Sequence, residues 1–581
     1  MYDFMDTSKC ILDEKSNITF VTAYIDFDGE NHPFANRTHD WRFNKFRDIA
    51  STGIQLCVYV SPNCEEFMRS ITVEYPNIKI MKTIAFEDLW STQIINNIET
   101  TLPNVRNLEK DTAKYITTIN NKVWFVNDAI ESNPWNSTHF TWIDFSISHM
   151  FKNTKACQIY LKELTMRHLN DRFLLIPGCW SKLDTNHIDY ILDNIHWRFC
   201  ASFFIGDKES IKEFHSLYEN HFRSFLENYK KLIWEANFWA WLEATQNLKL
   251  KWCSADHNDT VIHLHPDLFS LRLFDNEHIE TIKCAYPQIE YFQPSSASYM
   301  YHLGRHWLNT RYVSYWLTPW CGYVYPDGTG VIRNINMLSE LDATNENLLP
   351  IDYKQMDESM TGLIDYGHTI SKGLEDIRIY SVGEEAHFIA TTVNYSPSGK
   401  NRMVVGKYHV ESATFSDCSV IESPNPSSWC EKNWIPIINY EGEELFIYNW
   451  SPMEIGKINH ETKSLEIIMR HSTSNIPLFH RLRGSTTFTP INDGLIGLVH
   501  FSEEGSPRHY YNMLVLLDKT TFEPLRYSDV FHFETLGIEF CIGMAIENST
   551  EKYIFWISRF DRDPLCVKIP VSEIPLIFSV M

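Results

Sequence analysis

The sequence predicts a two-part chain, a Rossmann-like α/β domain followed by an all-β five-bladed propeller. Three observations predict it. From about residue 16 to about 255, short apolar runs alternate with helical stretches, as α/β units require. From about residue 290 onward, short alternating strands are separated by Gly, Pro, Asn and Asp turns. The length of 581 residues exceeds what a single hydrophobic core holds, so at least two domains are expected.

The elements follow in order. Residues 18–25 (ITFVTAYI) read as a buried strand, residues 42–49 as a helix, and residues 54–60 as a second strand. A helix over 64–73 and a short strand over 78–81 continue the alternation. A long polar, helical stretch covers roughly 88–130 and leads into FTWIDF at 140–145, an apolar strand that ends on the carboxylate of Asp144. Strands over 173–177 and 198–205 follow, then helices over 209–229 and 234–244. Domain bounds of 1–262 and 300–581 result, with 263–299 read as a linker. Strands over 312–318, 377–382, 387–393, 444–448, 494–501, 513–517 and 553–557 belong to the second domain, whose size suits five blades of roughly 50 to 60 residues each.

Composition narrows the function classes. A net charge of −23 repels phosphate backbones and anionic lipid surfaces, which argues against a nucleic-acid or membrane-surface partner and leaves room for a homo-oligomer. No apolar run is long enough to span a bilayer, and the first residues carry acids where a secretory signal needs bases, so a cytoplasmic location is expected. The 13 cysteines, scattered without a CxxC pair, read as reduced, mostly buried thiols rather than a disulfide framework or a zinc site. Aromatic residues make up 14% of the chain, which suits sheet cores first and sugar stacking second.

Asp144 at a strand end is a hard oxygen ligand of the kind a divalent cation needs. The position two residues on is Ser146, so the paired acids of a DxD motif are lacking, and a turn-capping aspartate is the plain alternative. Lys122 and Arg198 could meet diphosphate oxygens through charge-assisted hydrogen bonds, or could be ordinary solvated cations. Glu235 lies among Trp234, Trp239 and Trp241, where partial burial should raise its pKa and suit it to accept a proton from a hydroxyl. Contact with a donor-sugar hydroxyl, or a first-turn carboxylate favoured by the helix dipole, fits it equally.

Six islands carry a resemblance. They are FVTAY at 20–24, NK at 121–122, WIDF at 142–145, RFCASFFIGD at 198–207, WEANFW at 234–239 and ADHND at 255–259. In this order, from Thr19 to Ile262, the chain resembles the HtrL/YibB-like family, a group assigned to the GT-A type of glycosyltransferase. The resemblance implies a nucleotide-diphosphate sugar donor, UDP- or GDP-linked, a glycan acceptor, and Mn²⁺ (or Mg²⁺). It implies Asp144 and His257 as metal ligands; Thr22, Lys122 and Arg198 are the donor-side candidates and Glu235 the candidate catalytic carboxylate. Ser146 stands where the family would have glycine.

In the second half, GLEDIR at 373–378, CEKNW at 430–434 and RLRGS at 481–485, with His500 following, each put charge at a strand end. Propeller strand ends gather around a central channel, so these charges are expected to converge, either as a site or as inter-blade salt bridges. Over about residues 300–560 this half is similar to the five-bladed propeller of family 130 glycoside phosphorylases and related β-mannosyltransferases. That resemblance implies Asp376 as a catalytic acid and Arg378, Lys432, Arg483 and His500 as anion or sugar contacts. The resulting expectation is a bifunctional glycosyltransferase. A single-activity enzyme with a glycan-binding or scaffold propeller is its alternative.

Overall fold

The computed structural model describes residues 18–27, 37–170, 172–342, 348–439, 442–547 and 550–580. The chain forms two compact units, residues 13–269 and residues 270–581.

The first unit is built on a six-stranded sheet. Its strands are β1 (Ile18–Tyr24), β2 (Leu56–Val60), β3 (Ile78–Thr83), β4 (His139–Ile143), β5 (Leu174–Leu175) and β6 (Phe203–Asp207), in the spatial order β3-β2-β1-β4-β6-β5. β1 pairs in parallel with β2 on one side and β4 on the other. β6 runs antiparallel to β4, with Ile143 opposite Phe203. Every residue of β2 and β4 is buried, as expected of a largely parallel sheet covered by helices on both faces. The strand order turns back at β1, the switch point where open α/β sheets leave a crevice beyond the strand ends.

The helix Lys208–Tyr229 shows how the sequence sets this packing. Asp207 caps it by accepting from the backbone N–H groups of Glu209 and Ser210, and Lys230 ends it in the left-handed conformation at φ 53°. Ile211, Phe214, Tyr218, Phe222 and Phe225 recur at helical spacing and are buried against Phe238 and Trp239. Each such side chain contributes about 1.5–3 kcal/mol on full burial.

Two expectations are corrected here. The stretch 88–130 is three helices, Trp90–Ile95, Ala113–Ile119 and Lys122–Ser132, because Pro103 and the Thr112 cap interrupt the first gap and Asn120 and Asn121 the second. The strand expected over 198–205 begins only at Phe203, since the backbone before it bonds to two neighbouring loops instead of to the sheet.

The second unit is all-β and propeller-like. Four-stranded antiparallel meanders are formed by Glu375–Val382, Glu385–Thr392, Arg402–His409 and Thr414–Ile421, and again by Ile435–Ile438, Glu444–Trp450, Met453–Asn459 and Ser464–His471. A third sheet is built on Gln293–His302, Arg305–Val313 and Ile332–Leu341, and a fourth on Glu539–Glu547, Lys552–Arg559 and Arg562–Pro570. Five equal blades are not what forms. Four sheets are blade-like, and the strands Gly494–Glu503 and His509–Leu517 sit instead in an eight-stranded sheet that collects several two- to four-residue strands.

Residues 263–299 are not a free linker. Leu271–Arg272 pairs with Phe531–His532, Glu280–Ile282 is the outer strand beside Arg562–Pro570, and Gln293–His302 is a full blade strand. Unpaired strand edges seek backbone partners, and these short segments supply them. Among the described residues, no helix is long and apolar enough to cross a membrane.

Candidate functional site

The first unit has a cleft of about 1020 Å³. It is lined by Tyr24, Ile25 and Asp26 from the end of β1 and by Asp144, Phe145 and Ser146 after β4. Lys122 and Glu235 contribute to its floor, and Trp197 and His257 also line it. The cleft therefore opens where the topology places a crevice.

Three expected residues meet on the floor. Lys122, the first residue of its helix, directs Nζ to Asp144 Oδ1 at 2.8 Å, to Glu235 Oε1 at 2.9 Å and to the carbonyl of Ala201 at 2.9 Å. An ammonium has three hydrogens, so all of its donors are placed. Burial works against its charge, and the two carboxylates outweigh that, leaving its pKa above the ordinary lysine value. Lys122 therefore organises the floor, where the sequence suggested a cation reaching for phosphate.

Glu235 opens the helix Glu235–Thr245, where the helix dipole favours a negative charge. Burial raises its pKa as the sequence suggested, with Lys122 opposing the rise. At 7% side-chain exposure it is an anchor beneath Lys122 and is poorly placed to meet an acceptor hydroxyl. Asp144 is the accessible acid, with 39% of its side chain exposed. Its Oδ1 also accepts from Trp142 Nε1 at 2.7 Å, which fixes the carboxylate's direction.

Thr22 and Arg198 lie outside this group. Thr22 is buried in the body of β1, one residue before Ala23, where β1 begins to line the cleft. Arg198 grips Glu243 in two hydrogen bonds of 2.8 Å and stacks on Trp252 at 4.6 Å, so its fork is spent inside the fold. His257 does line the cleft, yet its Nδ1 faces Cys179 Sγ at 3.8 Å and Asp256 Oδ1 at 3.5 Å. Among the described residues, no cluster of three metal-ligating groups contains Asp144.

Sequence reasoning missed the cationic lining of the cleft. Arg37, Arg42, Arg106, Lys110 and Lys152 all contribute to it. They come from separated segments, and nothing in the net charge of −23 signals such a concentration.

In the second unit the expected charges do converge. Arg311 Nη1 binds Asp376 Oδ1 at 2.8 Å, with Ser296 Oγ also donating to that oxygen at 3.2 Å and Glu375 Oε1 lying 3.5 Å from Arg311 Nη2. Asp376 takes φ 52°, a left-handed conformation that aspartate and asparagine tolerate better than most residues. Burial alone would raise its pKa, but Arg311, Arg378 and Lys432 outweigh burial and hold it below the usual aspartate value. Asp376, expected as an acid, is here the ion-pair partner of Arg311.

The groups that burial holds above their ordinary values are Glu375 and Asp561, each partly offset by Arg311. Asp561 Oδ2 accepts from the hydroxyl of Tyr315 at 3.0 Å. Arg311 and Asp561 stood in no local motif, and Glu375 was read only as part of the charged segment 373–378, because their contact is purely spatial.

Arg378 is fully buried and donates to Ser485 O at 2.6 Å, Asn433 Oδ1 at 3.1 Å and Gly484 O at 3.3 Å, so it ties blade ends together and has no side chain to offer a ligand. His500 pairs with Ser485 Oγ at 2.8 Å, and burial, aided by Arg378, Arg483 and Lys432, keeps its pKa well below the ordinary histidine value. Lys432 and Arg483 remain exposed beside it.

A family model described as "Bacterial protein of unknown function (HtrL_YibB)" matches residues 16–232. No curated protein matches the chain. Three solved structures each match about half of the chain. A β-1,2-mannobiose phosphorylase from Listeria innocua is 14% identical, covers 50% of this chain and 93% of its own, with a TM-score of 0.32. The mannose phosphorylase MPT-4 from Leishmania mexicana is 12% identical over 52% of this chain and 93% of its own, with a TM-score of 0.31. MPT-1, a GDP-Man-dependent mannosyltransferase from the same organism, is 11% identical over 50% of this chain and 90% of its own, with a TM-score of 0.32.

Proposed function

We propose that residues 13–269 form a GT-A type glycosyltransferase domain that takes a nucleotide-diphosphate sugar, UDP- or GDP-linked, and passes the sugar to a glycan acceptor. The observation that carries this reading is the buried Lys122 bridge to Asp144 and Glu235, set in a cation-lined cleft at the sheet's switch point. The bridge fixes Asp144 at the strand end, and the surrounding arginines and lysines suit the oxygens of a diphosphate. Trp197 and Tyr24 supply aromatic surface for a sugar or base.

One accessible carboxylate, completed by substrate phosphates and water, is a donor set that a Mg²⁺- or Mn²⁺-class ion accepts, and Asp144 provides it. Such an ion would neutralise the departing diphosphate. His257, engaged with Cys179 and Asp256, is not part of that set. Lys122 holds the Asp144 carboxylate in position, and Glu235 keeps Lys122 in place.

In the second unit, the exposed cations Lys432 and Arg483 beside a neutral His500 suit an anionic, phosphate-bearing substrate. Asp561, whose Oδ2 accepts from the Tyr315 hydroxyl while Glu375 lies beside Arg311, is the proton donor this arrangement favours for a glycosidic oxygen. The protein on this reading is bifunctional.

Calorimetry with UDP and GDP, with and without Mn²⁺, tests the first domain directly. Wild type should bind one of them, and Asp144→Asn should weaken binding in the presence of the ion by more than about tenfold. Correctly folded protein that binds neither nucleotide under any condition would defeat the assignment.

A further inference from the structure

The half of the cleft wall that holds His257 has a chemistry of its own. Three potential ligand atoms face one another there, with the Asp256 carboxylate beside two of them. Cys179 Sγ lies 3.5 Å from Cys200 Sγ, 3.8 Å from His257 Nδ1 and 3.8 Å from Asp256 Oδ1, and His257 Nδ1 lies 3.5 Å from Asp256 Oδ1. The two sulfurs and the imidazole nitrogen all lie within 4.8 Å of one another. With metal bonds of about 2.0–2.3 Å, the edges of a tetrahedron around zinc run to roughly 3.3–3.8 Å, which is the spacing of Cys179 Sγ from Cys200 Sγ and His257 Nδ1.

The backbone holds these groups together independently of any ligand. Cys179 N–H donates to Trp197 O at 2.9 Å and Cys200 N–H to Pro177 O at 2.7 Å, joining the first two segments. Gly178 N–H donates to Cys253 O at 3.0 Å and Ala255 N–H to Gly178 O at 2.8 Å, joining the third. A side chain at 178 would place its Cβ 1.7 Å from the Arg198 carbonyl, so only glycine lets the segments carrying the two thiols approach this closely. The His257 ring is further held edge-on to Trp197, with centroids 4.3 Å apart.

We propose that Cys179, Cys200 and His257, flanked by Asp256, form a binding site for a soft, zinc-class divalent cation, separate from the carboxylate site at Asp144. Thiolate and imidazole ligands select zinc over the hard, oxygen-seeking Mg²⁺ and Mn²⁺. The ligands are separated by 21 and 57 positions between Cys179, Cys200 and His257, which is why the cysteine spacing suggested no such site. Because the site ties three segments of one wall, its metal would brace the loop that carries His257 into the cleft.

The test uses the full chain, reduced and stripped of metal, titrated with Zn²⁺ and separately with Co²⁺. Wild type is expected to take up a single equivalent of zinc, to melt at higher temperature with it, and to show a thiolate-to-cobalt charge-transfer band. Cys179→Ser and His257→Gln, both at partly or fully exposed positions, should weaken zinc by more than about tenfold. Cys430→Ser, at an exposed cysteine of the other unit, should leave binding unchanged. Reduced wild type that binds no zinc, or binding that survives both substitutions undiminished, overturns the proposal. So does a Cys179–Cys200 disulfide as the sole chemistry of the pair. None of these readouts depends on nucleotide or glycan turnover, so the result stands apart from the transferase reading.

Discussion

The ammonium of Lys122 lies 2.9 Å from Glu235 Oε1, and both side chains are almost completely shielded from water. A buried charge is tolerated only while it is paired, so removing one partner strands the other. Lys122→Met should therefore destabilise the first unit by about 3–5 kcal/mol in denaturant unfolding. Glu235→Gln keeps a hydrogen-bond acceptor and leaves Lys122 with Asp144 and Ala201, so its cost should be nearer about 1.5–3 kcal/mol. Equal costs for the two would show that the pair is not the unit that matters.

Arg198 and Glu243 provide the contrast, being a bidentate pair away from the cleft residues. Arg198→Met should cost about 3–5 kcal/mol, and the double change with Glu243→Met should recover much of it. Nucleotide affinity of the double variant, measured by calorimetry, should match wild type. A large loss of affinity at unchanged stability would return Arg198 to the donor site.

Burial raises the pKa of Asp561 and Glu375 in the propeller group, while Arg311 and its neighbouring cations lower that of Asp376. Asp561→Asn should abolish transfer or phosphorolysis at this unit, a loss of about 10²–10⁴-fold for a missing general acid, with little change in thermal midpoint. Asp376→Asn keeps a residue suited to φ 52° but removes the counter-charge of Arg311, so it should lower the thermal midpoint. The opposite assignment of effects, read from parallel rates and melts, would make Asp376 the acid.

A pH-dependent contact links two adjacent sheets. His387 Nδ1 lies 3.0 Å from Glu444 Oε1, and the hydrogen bond to Glu444 raises the histidine pKa above its ordinary value. A histidine with a raised folded pKa contributes stability that is complete below its unfolded value and is lost as pH rises through the folded value. The second unit should lose up to about 1 kcal/mol between mildly acidic and mildly alkaline pH from this pair. Glu444→Gln should flatten that part of the profile in melts across the range.

Local sequence determined the elements and their order. The apolar run of β1, the capped and periodic helix Lys208–Tyr229, and the alternating strands after about residue 290 could each be read from their own residues, because burial pattern and capping act over a few positions. Asp144 at a strand end and the charged turns around Asp376 were legible for the same reason.

What only the tertiary structure decided is which charges meet. Lys122 became a floor residue because Asp144, Glu235 and the Ala201 carbonyl, from three separate segments, all reach it. Arg198 turned inward because Glu243 took its fork, and Asp376 sits in an ion pair because Arg311 lies 2.8 Å away. Cys179, Cys200 and His257 became neighbours through backbone hydrogen bonds across the gap that Gly178 leaves open. Electrostatic energy falls with distance in space and is indifferent to distance along the chain, so motifs locate titratable groups while their protonation and partners follow from the fold.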